Sequence, residues 1–175
     1  MALTADNVVV GRTGKVYAGL ISAAAPTASD STLTGFTELG YVSTDGVTYT
    51  TDKSTNQIRA WQNGDLVREV ITEGTATYEF MLMESNQAAI ELYFGSAMVD
   101  GKIAANPVAT GGVQSFVIDV VDGEKVIRHY IPRGEVLSVS EQTFVNGDVI
   151  MYGVTVTAYV TEDRAADIYY SEFEA

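Results

Sequence analysis

Turn dipeptides cut this chain into short runs in which β-branched and aromatic residues alternate with polar ones. Asp45-Gly46, Asn63-Gly64, Asp100-Gly101, Asp122-Gly123 and Asn146-Gly147 each supply residues that tolerate positive φ, which tight hairpin turns require. Residues 47–51 read V-T-Y-T-T and 117–121 read V-I-D-V-V, both suited to a pleated, half-buried strand. The clearest run is 148–160, D-V-I-M-Y-G-V-T-V-T-A-Y-V. There Ile150, Tyr152, Val154, Val156, Ala158 and Val160 share one face, and Val149, Met151, Thr155, Thr157 and Tyr159 the other. At about 3.3 Å per residue the run predicts a strand of roughly 40 Å, longer than a small sandwich needs. Substantial side chains on both faces predict burial on both sides, by neighbouring subunits.

Residues 84–95, E-S-N-Q-A-A-I-E-L-Y-F-G, break this two-residue period. Ser85 or Asn86 can cap a helix start, Gly95 suits the position past its end, and Ile90, Tyr93 and Phe94 fall on one side. A helix of about ten residues is not stable alone, so this one, over about residues 85–94, must pack on a sheet. Residues 22–35 form a small-residue loop, and 101–112, with Asn106-Pro107 and Gly111-Gly112, a second connection. No internal repeat occurs and no shift of composition marks a boundary. The expected architecture is one mainly-β domain over 1–175, a β-sandwich or barrel with one short flanking α-helix. An N-terminal arm (about 1–14) and an acidic C-terminal arm (about 162–175) are expected to be extended or weakly helical.

The 175 residues are 46% hydrophobic, enough for a core and too many for a disordered chain. The lack of cysteine removes disulfides and thiol nucleophiles and makes a reducing cytosol the natural folding compartment. Asp6, Asn7, Gly11 and Arg12 interrupt the start of the chain, which speaks against a signal peptide. No run of about 18 apolar residues predicts a membrane helix, and no N-x-S/T sequon occurs. Ten Lys and Arg against 23 Asp and Glu leave a charge of −13. Such a chain repels phosphate backbones, which argues against a DNA or RNA reader. Solubility is the plain explanation of the charge; a surface that does not stick to nucleic acid is the sharper one.

Few motifs carry chemistry. Gly11-Arg12-Thr13-Gly14-Lys15 has Val9 where a P-loop needs its first glycine and Val16 where it needs Ser or Thr, so it reads as a basic loop before a strand. His129, the only histidine, alternates within 126–131 as a sheet residue. No zinc-type histidine pair or G-x-S-x-G elbow accompanies it; a Ser/His/Asp triad built on it stays open. With 23 acids, chance carboxylate pairs are inevitable, so a glycosidase pair is not signalled by number alone. Trp61, within R-A-W-Q-N-G at 59–64, reads as a strand-end aromatic packed on the core or on a neighbour rather than a sugar platform. Over residues 65–73, strand alternation places Asp65, Val67, Glu69, Ile71 and Glu73 on one face, with Leu66, Arg68, Val70 and Thr72 on the other. Three carboxylates in a row must face water, on a solvated sheet face or as the lining of a water-filled space.

Residues 35–47 read G-F-T-E-L-G-Y-V-S-T-D-G-V, after an arm and first strand at 7–21 and the loop holding Pro26. Trp61-Gln62, a strand to Thr72, a strand over 78–83, the helix closed by Gly95, Tyr130-Ile131-Pro132 and a long hairpin through Asn146-Gly147 follow. This serial order, over about residues 7–160, resembles the major tail tube proteins of long-tailed, non-contractile bacteriophages. The 35–47 run looks like the segment entering their second strand.

The resemblance implies a structural virion protein, not an enzyme and without a cofactor, that polymerises as stacked hexameric rings around a tape-measure protein. Tail-tip and tail-terminator proteins are its further implied partners. DNA passes down the lumen during ejection without specific binding, and no membrane is involved. Assembly takes place in the bacterial host cytoplasm and the product resides in the virion. Each subunit would give strands to an inner β-barrel, with the helix outside. On this reading an acidic lining lets DNA slide, and Asp65, Glu69, Glu73 and Glu79 are the lumen candidates, Glu79 from the face opposite Tyr78, Phe80 and Leu82. The polar stretch 50–64, expected as a loop, is the candidate contact with the next ring through Lys53, Asn56, Arg59 and Trp61. A carbohydrate-binding β-sandwich of a virion or secreted protein, and a small acid-catalysed hydrolase, are the rival readings.

Overall fold

The computed structural model describes residues 5–171. A 3-10 turn at Ala5–Asn7 precedes β1 (Thr13–Gly19), β2 (Phe36–Glu38), β3 (Val42–Arg59), β4 (Leu66–Leu82) and α1 (Gln87–Phe94). The short pair β5 (Met98–Val99) and β6 (Lys102–Ile103) leads to β7 (Gln114–Asp122), β8 (Lys125–Val139), β9 (Tyr152–Ala158) and β10 (Asp167–Tyr170). The main sheet is antiparallel in the order β2-β1-β7-β8-β9-β4-β3, with β10 paired to the first half of β8. It curves until β1 and β3 touch, and Leu39 bridges β1 at that seam through a 2.9 Å bond from its N–H to the Val16 carbonyl. The result is barrel-like and mainly β, as the alternation predicts.

One face of the curved sheet is apolar because every second residue of each strand is. Val16, Tyr78, Phe80, Leu82, Phe116, Ile118, Ile131, Val154 and Val156 meet inside, and Ala89 and Leu92 of α1 complete the core. At Gly134 the strands approach so closely that a Cβ would lie 2.7 Å from Val156 and 2.9 Å from Phe116. Asn86, not Ser85, caps α1: its Oδ1 accepts from the Ala89 N–H at 2.8 Å, and its amide donates to the Leu39 carbonyl at 3.0 Å. Gly95 ends the helix in the left-handed region at φ 62°.

Two expectations of strand length are reversed. The run 148–160 yields only β9, because β8 ends at Val139 and β4 at Leu82, leaving residues 148–151 nothing to pair with. The core face of β9 is as predicted, but its opposite face carries Gly153, Thr155 and Thr157 rather than bulky groups. Conversely, the stretch 50–64 is strand through Arg59, and the expected separate strands before Thr72 and over 78–83 are one strand. β3 and β4, of 18 and 17 residues, make a hairpin about 55 Å long. Its polar sequence hides the strand period because no core covers either face of its outer half. The C-terminal arm enters the sheet as β10; residues 172–175 of that arm and 1–4 of the N-terminal arm lie outside the described residues.

Candidate functional site

β4 leaves β9 at the Ala76–Ala158 pair, while β3 is the last strand of the sheet. From there outward, residues 50–75 form a two-stranded ribbon exposed on both faces, with both outer edges outside the sheet pairing. Two-stranded ribbons are marginal in water on their own, and unpaired edges template pairing with another chain. This one also exposes Ile58, Leu66, Val67, Val70 and Ile71. Its tip is a turn at 61–64 with Asn63 and Gly64 at φ 60° and 69°, closed by a 2.8 Å bond from the Ala60 N–H to the Asp65 carbonyl.

The four residues singled out in 50–64 fall on this ribbon, three of them in a strand rather than a loop. Cross-strand partners share a face, so the register puts Lys53 and Arg59 on the side continuous with the core face and Asn56 on the outer side. Arg59 donates to the Gly64 carbonyl at 3.1 Å and to Gln57 Oε1 at 2.8 Å, so it fastens its own turn. Trp61 is 98% exposed at the tip and does not pack on the core.

The four carboxylates do not share a face. β3 and β4 pair Ser54 with Glu73 but Thr55 with Ile71, so Thr72 is an extra residue in β4, and a second bulge lies at Val67. Each bulge inverts the alternation. Glu69 therefore lies on the core side, where its Oε1 accepts from Thr55 Oγ1 at 2.7 Å, while Glu73 and Glu79 lie on the outer side. Asp65 precedes β4 in the turn.

That outer side has a composition of its own. Along 48–54 of β3, 73–81 of β4 and 153–157 of β9 it presents Thr48, Thr50, Thr75, Thr77, Thr155 and Thr157, with Ser54 and the acids Asp52, Glu73 and Glu79. No basic residue interrupts it over those ranges. β8 continues it with Glu135, held below the usual carboxylate range by hydrogen bonds from the hydroxyls of Thr110 and Tyr159. The six threonines went unrecognised in the sequence, although T-x-T recurs in V-T-Y-T-T, T-A-T and V-T-V-T.

Across the barrel, Arg128 and Asp119 form a buried bidentate pair at 2.7 and 2.8 Å, each 6% exposed. The same guanidinium donates to the Ser31 carbonyl at 2.7 Å and the Ala28 carbonyl at 3.3 Å, and Tyr169 of β10 donates to the Pro26 carbonyl at 2.8 Å. These bonds fasten the small-residue loop to the sheet. His129, on the opposite face of β8, meets Tyr78 Oη at 3.1 Å through Nδ1 and lies edge-on to Tyr49. Burial lowers its pKa. It is the sheet histidine expected, its one side-chain hydrogen bond being to a tyrosine rather than to a serine or carboxylate.

A curved antiparallel sheet with one flanking helix and a long ribbon standing clear of it defines a barrel-like β-protein. A family profile described as phage tail tube protein matches residues 1–172, so the chain belongs to that family and is a structural component of the phage tail tube. Among solved structures, the tube-terminating cap of the anti-feeding prophage is similar at TM-score 0.50 and 15% identity, covering 98% of this chain and 100% of that one. A chain from the tail of an empty gene transfer agent particle, solved by helical refinement in C6 symmetry, is similar at TM-score 0.51 and 9% identity, covering 94% and 100%. At these identities the likeness is one of fold. No curated protein sequence matches the chain.

Proposed function

We propose that this subunit polymerises as hexameric rings stacked into a tube, and that the β3–β4 ribbon is its main contact with the adjacent ring. The ribbon carries the reading: two paired strands over 50–59 and 66–75, with exposed apolar side chains on both faces and open at both edges, gain stability from pairing with a second chain. Lys53, Asn56, Arg59 and Trp61 lie within that contact. The threonine-rich face lines the lumen, with Glu73 and Glu79 as its acids and Asp52 added to them. Along β3, β4 and β9 its hydroxyls and carboxylates hydrate well and repel phosphate, with Arg133 of β8 as a cation at its margin, which suits a conduit through which DNA slides. Glu69, on the other side of the ribbon, is left to subunit contacts. On this reading the protein is not an enzyme, and the tape-measure, tail-tip and terminator proteins are its partners in the tail.

The test is a shortened ribbon. Ser54 and Glu73 are cross-strand partners, so replacing 55–72 by Asn-Gly leaves a two-residue hairpin and keeps every core residue. The wild type should form rings and tubes by electron microscopy at high concentration, and the shortened chain should stay a folded monomer by circular dichroism and sedimentation. Tubes formed equally well by the shortened chain would overturn the ribbon's role.

A further inference from the structure

We propose that Trp61, at the ribbon tip of one subunit, seats in the cleft that α1 forms with the end of β8 and residues 105–110 of a second subunit. The inference rests on the stacked-ring reading and names its point of attachment. The cleft has a volume of about 380 Å³ and is lined by Leu92, Tyr93, Pro107, Val108, Leu137 and Val139 among others. Val108 is 83% exposed, and Leu137 and Val139 are exposed beside it. A cavity of roughly 150 Å³ accepts a benzene ring, so an indole fits with room for a flanking side chain. The wall is stiff: Tyr93 donates to the Ser140 carbonyl at 2.6 Å and packs edge-on against Phe94 and Tyr152.

Position and charge choose the occupant. Val139 pairs with Val154, and Val154 with Phe80, so the cleft lies level with the far end of β4, about 45 Å along the strands from the tip. No subunit reaches its own cleft. A tip-to-cleft contact is head-to-tail, and a heterologous contact of that kind propagates instead of closing on a dimer. Residues 58–68 carry Arg59 and Arg68 against Asp65, a net +1 in a chain of −13. Around the cleft, residues 84–112 carry Glu84, Glu91 and Asp100 against Lys102, and 135–151 carry Glu135, Glu141 and Asp148 with no base. A mildly basic tip meets an acidic end, which favours encounter in this orientation. Tryptophan is enriched among the interface residues that carry most of the binding energy, and these sit in well-packed, desolvated pockets.

The chain has no cysteine and one tryptophan, so both can be used as reporters. A Gln62→Cys protein mixed with a Val108→Cys protein and oxidised should give the heterodisulfide several-fold in excess of either homodimer. Adding Trp61→Ala to the first should return it to background. In wild-type tubes, Trp61 emission should shift to the blue, and iodide quenching should fall several-fold relative to the monomer. Tubes whose tryptophan is as quenchable as in the monomer would overturn this inference and leave the stacked-ring reading standing. Background cross-linking with no tubes from the wild type would remove both.

Discussion

Glu69 and Glu73 lie four residues apart on β4 yet face opposite sides of the ribbon, because Thr72 adds one residue to the ladder between them. Its hydroxyl donates to the Ser54 carbonyl at 3.2 Å, so the bulge satisfies part of what it disrupts. A consequence for the assembled tube follows. Charge reversal on the threonine face, Glu73→Lys with Glu79→Lys, should make purified tubes retain double-stranded DNA at about 50 mM salt and release it by about 200 mM. Glu69→Lys should leave retention at the wild-type level. Co-sedimentation of DNA with tubes at both salts reads the difference; equal retention by the Glu69→Lys tubes would mean that the outer face is not the lumen.

How much of this was legible in the sequence depends on what enforces the strand period. Where one face is buried, as in 152–158, the alternation reads directly and the core face is right. The helix cap and its Gly95 terminus were also visible, since capping chemistry is local. The ribbon was not, because residues exposed on both sides have no reason to alternate, and T-T-D-K-S-T-N-Q reads as a loop. The bulges at Val67 and Thr72 leave no residue signature, so strict alternation mis-sorted Glu69. Arg128 and Asp119 could have been flagged as single charges inside apolar runs, but their pairing depends on the register of β7 with β8.

The buried pair should be costly to break. Arg128→Met leaves the Asp119 carboxylate buried without its partner and the carbonyls of Ala28 and Ser31 without a donor. Loss of one partner of a buried pair costs about 3–5 kcal/mol, read as a drop in the urea midpoint. The double variant Asp119→Leu/Arg128→Met should recover part of that loss while the loop 22–35 becomes more open to protease. A single variant within about 0.5 kcal/mol of wild type would show that the pair does not hold the sheet.

His129 makes stability depend on pH in a known direction. Its folded-state pKa is lowered by burial, so the unfolded chain binds the proton first as pH falls. Stability from this group is fully present above about 6.5, the unfolded value, and declines as pH falls from there towards the lowered folded value. Protonation makes Nδ1 a donor, so the Tyr78 hydroxyl, whose own pKa burial raises, can then only accept in this contact. Urea midpoints of wild type and His129→Gln, compared between pH 8 and 5, should diverge in slope, with the wild type losing more on the acid side. Parallel curves would show that His129 is not the titrating group.

The run Glu38-Leu39-Gly40-Tyr41 has a physical basis in what it touches. Leu39 enters the core and offers its carbonyl to Asn86, the Tyr41 N–H donates to Glu84 Oε1 at 3.0 Å, and Asn86 also donates to Glu84 Oε2 at 3.2 Å. Gly40 sits at φ 95°, and a Cβ there would lie 2.6 Å from the Glu84 carboxyl carbon. Gly40→Ala should therefore cost about 1–3 kcal/mol from backbone strain alone and displace Glu84 as well. Asn86→Ala removes the cap and should cost about 1–2 kcal/mol. Because both act on the same Glu84 contact, the double variant should lose less than the sum of the two, a coupling of about 0.5 kcal/mol or more in a double-mutant cycle. Strict additivity would mean that the helix start and the β2–β3 link are held independently.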